Sequence, residues 1–357
     1  MTTGRTRLLT PLVAVACALA LTSGALVLGG HDPVRGIAAL VGGAFGSWDR
    51  LLSITLVRSV PLILAGLAVA LAFRASVWNI GAEGQLYAGA TMAVWLGLLF
   101  PTLPGVLGIP LLLVMAGLAG AGWAALPALM KVRLGTSEVI STLLMNFVAI
   151  YLVAFLVHGP LREPRGVFPQ SAAVPEALRL PLLVSGTRLH SGLALALLVA
   201  IALWFLLART AFGFRIRAVG ASEAAARVSG GMSPGRVVFR TLLLSGFVAG
   251  LAGGVELTGV TYALYEDLSP GYGYTAIAVA LLGGLRPGGV VVAGLFFGAL
   301  EGGASAMQRQ AGIPAVWVDV VEALVILTVL AADRIGPRVG PWLTRARRPT
   351  STAAEVA

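Results

Sequence analysis

Apolar runs of about twenty residues recur along this chain between short polar interruptions, and about twenty apolar residues span a bilayer as a helix. Ten stretches fit: 8–29, 52–73, 78–99, 105–129, 138–157, 191–208, 237–259, 273–285, 289–306 and 314–332. The eighth is too short to cross comfortably and runs into Arg286-Pro287-Gly288-Gly289. That predicts a broken or re-entrant segment, which is tolerated where protein or water lines it. The pattern predicts an all-α polytopic membrane protein with about ten transmembrane segments. One transmembrane domain would cover 1–345, followed by a disordered cytoplasmic tail, 346–357, whose neighbouring arginines lie near the anionic inner leaflet.

Two polar interruptions are longer than a turn. Residues 158–190 are proline-rich and of mixed charge, and read either as an external loop able to receive a soluble donor or as a plain connector. Residues 209–240 carry six arginines and one acidic residue, Glu223. Within that stretch Ser222 is placed to N-cap a short helix, Glu223 to Ser229, ended by Gly230-Gly231, and Ser233-Pro234 reads as the cap and first residue of the next helix.

Composition agrees with the pattern: 58% of the 357 residues are hydrophobic, 11% are charged, and the mean hydropathy is +0.92. The formal charge of +10 does not indicate nucleic-acid binding, because the arginines sit at the ends of apolar runs and not in a patch interleaved with aromatics. Their distribution sets topology instead. With both termini inside, 17 of the 25 basic residues fall on cytoplasmic segments, the positive-inside bias. Arg5 and Arg7 before an apolar run, with Ala-Val-Ala ahead of Cys17, have some features of a cleavable leader. Cleavage would put the termini on opposite sides, against the arginine count. One cysteine and three histidines (His31, His158, His190) exclude a disulfide framework and leave no spacing suited to a metal.

Chemistry-bearing groups are few. No catalytic set of acid, base or metal can be assembled. A P-loop needs a lysine after its glycines, and the only lysine, Lys131, lies between Met130 and Val132. Gly246, Gly250 and Gly254, and again Gly294, Gly298 and Gly302, form ridges on which another helix can approach closely. Asn79, Glu83 and Gln85 open the third run, and Asn146 lies inside the fifth. These four are candidates for a translocation path or for helix ties, since polar groups at membrane depth face a bundle interior or a cavity. Glu256, Glu301, Asp319 and Glu322 are further acidic residues in or near the runs.

The segment Phe73-Arg74-Ala75-Ser76-Val77-Trp78-Asn79-Ile80-Gly81-Ala82-Glu83-Gly84-Gln85 resembles the FRAGxFNIGAEGQ signature of permease subunits of bacterial ABC importers for nucleosides and simple sugars. These belong to the branched-chain amino acid and ribose-type permeases, and this branch works with basic-membrane-protein-type binding lipoproteins. Leu134 to Asn146, Arg217-Ala218-Val219-Gly220 with Ala224 to Ala226, and Ala276 to Gly283 agree in order, so the likeness runs from about 50 to 335. Ser76 and Trp78 stand where Gly and Phe are common, and Gly231 where Ile often follows a glycine.

The resemblance implies a bacterial plasma-membrane subunit, with both permease halves related as an inverted repeat. It implies a cytoplasmic ABC ATPase holding ATP and Mg, a second permease of a different chain, and an external substrate-binding lipoprotein. This chain itself would bind no cofactor. The ATPase would dock near Gly220, Ser222, Glu223, Ala225, Arg227 and Gly230. The nucleoside branch is the better match, and amides suit a neutral ligand, although they serve a sugar equally. An ion-coupled secondary transporter using Glu83 or Glu256 is the alternative.

Overall fold

The computed structural model of the protein describes residues 20–314 except 25, 165 and 229–231, together with residue 17 and scattered positions between 316 and 328. Contacts divide the chain into two units, 1–34 with 316–357, and 35–315; the helices below lie in the second, apart from residues 33 and 34. Among the described residues there is no strand, only isolated antiparallel bridges from Gln170 to Tyr265 and from Leu182 to His190.

Six helices are long and apolar enough to cross a membrane: α2 (Trp48–Phe73), α4 (Gly105–Leu134), α5 (Glu138–His158), α6 (Gly192–Arg209), α9 (Pro234–Thr261) and α11 (Pro287–Ala311). Helix α3 (Ala82–Leu99) also has 18 residues and carries Glu83 and Gln85 in its opening turns. Helix α10 (Tyr272–Leu282) has 11 residues. At a rise of about 1.5 Å per residue it covers about half of a hydrocarbon core of about 30 Å. The short eighth run is therefore a half-crossing, followed by a turn through Gly284 and Leu285, both at positive φ. Among the described residues six spans are identified, which leaves the expected count of about ten unconfirmed: 8–29 and 314–332 fall largely, and 346–357 wholly, outside the described residues, as do Glu322 and Gly230. A helix the apolar runs did not indicate, α1 (Pro33–Phe45), precedes α2.

Helix α2 is the centre. From Val57 to Phe73 every residue except Arg58 is buried, which explains why this run is apolar all round rather than on one face. Helices α9, α10 and α11 pack against it, and α9 also packs on α3 and α4. The glycine ridges make the crossings: Gly246 and Gly250 lie against Gly120 and Ala116 of α4, while Gly294 and Gly298 lie against Ile63 and Ser59 of α2. Both ridges are thus used within this chain, where small residues let backbones approach. A π-helical turn sits at one end of α2 (Leu51–Leu56), α4 (Met130–Leu134) and α9 (Leu257–Thr261).

Candidate functional site

The sequence motifs meet at the turn between α2 and α3. Glu138, Thr142 and Asn146 are spaced four apart, so they share one face of α5, and that face grips residues 78–84. The Trp78 amide approaches the Glu138 carboxylate at 3.4 Å, the Ile80 amide donates to Thr142 Oγ1 at 3.3 Å, and the Gly84 amide donates to Asn146 Oδ1 at 2.8 Å. Asn146 Nδ2 returns a bond to the Ile80 carbonyl at 2.9 Å. Lys131, at the end of α4, pairs with Glu138 at 2.8 Å.

Asn79 and Gln85 form a reciprocal amide pair, each side-chain NH2 donating to the other's oxygen at 3.0 Å. Asn79 Nδ2 also donates to Ser245 Oγ of α9 at 2.8 Å, and Ser245 donates on to the Ala68 carbonyl of α2. Glu83 Oε2 accepts from the Gly273 amide at 2.6 Å, binding α3 to the first turn of α10, where a carboxylate also complements the helix dipole. All four candidate path residues are buried, and they tie four helices and a loop into one hydrogen-bonded plug. Sequence reading passed over Ser245 and Thr142; the four-residue spacing to Asn146 was the signal for Thr142.

Toward Arg209, the polar stretch is mostly helical. Helix α7 (Ala211–Ala221), not expected from the sequence, is N-capped by Thr210, whose Oγ1 accepts from the Gly213 amide at 3.0 Å. Helix α8 (Glu223–Val228) follows with the expected cap, Ser222 Oγ accepting from the Ala225 amide at 3.2 Å. Glu223 and Arg227 pair at 2.8 Å and both are exposed, as is Ala225. Gly220 touches the signature turn: a Cβ there would run into the Arg74 carbonyl, and Ser76 Oγ donates to the Gly220 carbonyl at 2.8 Å. Ser76 has φ 55°, the left-handed region that favours the glycine common at this place in the signature. Arg74 donates to the Leu285 carbonyl at 2.9 Å, and burial, with Arg286 and Arg217 nearby, holds its pKa below the usual range. Helices α7 and α8, the signature turn and the plug therefore form one continuous run of contacts.

At the other ends of α2 and α9, residues 159–191 are docked rather than loose. The Ser171, Val174 and Leu180 amides donate to the Leu264, Tyr262 and Thr258 carbonyls at 2.8, 2.8 and 2.9 Å, and Arg179 lies 4.5 Å from the Tyr262 ring centroid. His190 is buried beneath this segment; its Nδ1 accepts from the Gly192 amide at 3.2 Å, and burial, then Arg188, lowers its pKa to about 4. Beside it opens a polar cavity of about 400 Å³ lined by residues that include Arg58, Arg188, Glu256, Asp267, Tyr272 and Arg309. Its wall residue Tyr272 adjoins Gly273, the partner of Glu83, so the plug begins where the cavity ends. Among the described residues no three His, Cys, Asp or Glu side chains gather as a metal site.

Residues 51–330 match the family described as branched-chain amino acid transport system / permease component. The chain is 38% identical over 335 residues to the guanosine ABC transporter permease protein NupP of Bacillus subtilis (strain 168), covering 92% of this chain and 94% of that protein. It is 39% identical to the glucose ABC transporter permease protein TsgB13 of Haloferax volcanii, covering 91% and 87%. With the nucleoside ABC transporter permease protein NupB of Lactococcus lactis subsp. cremoris it shares 31% identity, covering 90% of each chain. No solved structure matches.

Proposed function

Because this chain belongs to the branched-chain amino acid transport system / permease component family, and is the multi-pass permease subunit of an ABC transporter for nucleoside or sugar import, we propose that its cargo is a nucleoside. The observation that carries the cargo is the 38% identity, over 92% of this chain, to a guanosine permease. A simple sugar is the second reading, favoured by the 39% identity to a glucose permease.

A permease of this kind works with an ABC ATPase and a substrate-binding partner. In our reading the ATPase carries the ATP and Mg, this chain binds no cofactor, the donor is an external lipoprotein, and the second permease is a different chain. Both termini lie in the cytoplasm, where their arginines meet the anionic inner leaflet. Cargo enters the polar cavity and meets the plug. Asn79, Glu83, Gln85 and Asn146 then act as the polar frame of the path, closed in this conformation because Asn79 and Gln85 pair with each other while Glu83 and Asn146 are taken up by backbone groups. The ATPase docks at Ser222, Glu223, Ala225 and Arg227 with the adjoining Gly230, and Gly220 carries its movement to the signature turn, the plug's own backbone.

Proteoliposomes test this. Guanosine should accumulate only when this chain, its partner permease, the ATPase, ATP and the lipoprotein are all present. Uptake driven by an ion gradient without the ATPase would replace the ABC reading with a secondary transporter. Uptake of glucose but not guanosine would move the cargo to sugars.

A further inference from the structure

Glu256 is the least explained charge in the fold. It is 4% exposed, and among the described residues its carboxylate takes part in no hydrogen bond or ion pair. Arg58 and Arg188 act on it only through space, and Arg58 is instead placed 3.6 Å from Glu301. An ionised carboxylate offers about four acceptor sites, and leaving them empty in a buried setting costs several kcal/mol unless something polar fills them. What faces Glu256 is the cavity, whose volume of about 400 Å³ lies within the range of about 300–1,000 Å³ usual for small-molecule sites.

The surrounding backbone is irregular in the same place. Glu256 immediately precedes the π-helical turn of α9, which supplies Val260 and Thr261 to the cavity, and the π-helical turn of α2 supplies Ser53 and Ile54. Such turns cost helix regularity and are frequent at functional sites. Tyr265 and Tyr272 add aromatic faces to the lining.

We infer that Glu256 is the anchor of a subsite, within the permease itself, for the adjacent hydroxyls of a ribosyl or hexosyl cargo; this presupposes the importer role proposed above. Two neighbouring hydroxyls donate to the two carboxylate oxygens, forming charge-assisted bonds roughly twice as strong as neutral ones. The tyrosine rings offer a face to the base or to the apolar side of the sugar ring. Guanosine and glucose, the compounds named for two relatives, differ in nearly everything except such hydroxyl pairs.

The test is saturation-transfer NMR on the complete transporter in nanodiscs without its lipoprotein, using guanosine, 2′,3′-dideoxyguanosine and glucose as probes. Transfer to the ribose 2′ and 3′ protons of guanosine is expected, with at least about tenfold less to the dideoxy compound, since a hydrogen bond to a charged group is worth about 1.5–3 kcal/mol. Glu256→Gln should lower the guanosine signal to the dideoxy level, and Glu256→Asp should keep the contrast. Size exclusion confirms that each variant complex is assembled. Equal signals from the two nucleosides in the wild type, or an unchanged contrast in an assembled Glu256→Gln complex, would overturn the subsite. Should Glu256→Gln fail to assemble, the wild-type contrast and the Glu256→Asp result decide it. A wild-type transporter that imports guanosine yet shows no transfer refutes the subsite alone, whereas one that imports neither guanosine nor glucose refutes the importer reading with it.

Discussion

Asn146 satisfies the Gly84 amide and the Ile80 carbonyl with one side chain. Asn146→Ala strands both groups at a buried site, and a loss of about 1–3 kcal/mol is expected. A lowered thermal midpoint of the detergent-solubilised complex would show it; an unchanged midpoint would mean that the turn reseats itself. His190 sets a pH limit. Its Nδ1 accepts a bond, so Nε2 carries the proton, and Nε2 has no hydrogen-bond partner among the described residues. The folded pKa of about 4 lies below the ordinary 6.5, so the unfolded chain binds the extra proton more readily between those values. Stability is therefore full above about pH 6.5 and falls as the pH drops toward 4, by roughly 3 kcal/mol in all. His190→Gln should flatten that part of a melting-temperature profile taken between pH 7.5 and 4.5.

At the scale of elements, the start of α8 was legible because its cap is local: Ser222 bonds three residues on, as a capping serine should. Helix α7 was not, because Arg215 and Arg217 give it the polarity of a loop, and only the buried face made by Gly213, Ile216 and Val219 reveals its helical period. The half-length of α10 was visible in its short apolar run, which ends in Arg286-Pro287-Gly288-Gly289, and its mate Glu83 lay 190 residues away, beyond any local pattern. The Glu223–Arg227 pair is exposed at both ends, and such pairs contribute little to stability. Reversing both charges, Glu223→Arg with Arg227→Glu, should therefore leave melting unchanged while cutting ATP-driven uptake at least about tenfold, if α8 presents the ATPase with a specific charge pattern. Wild-type uptake by the reversed pair would remove α8 from docking.

For the whole molecule, the order of the motifs along the chain conveyed the class, and their interlocking was written in the spacing of Glu138, Thr142 and Asn146. The cavity was not written anywhere. Arg58, Glu256, Tyr272 and Arg309 come from four helices with no shared motif, and only packing around α2 brings them to one opening. Sidedness is checked directly. In a Cys17→Ser background, a cysteine at Ser185 should react with a membrane-impermeant maleimide in intact cells, and one at Ala224 only after permeabilisation; the reverse pattern would invert the topology. The lone lysine offers a different handle. Because Lys131 is the chain's single side-chain amine and is held by Glu138 where α4 meets α5, amine-reactive reagents address this subunit's side chains at one joint. Its labelling rate through the transport cycle becomes a clock for the opening of that joint, read without introducing a single mutation.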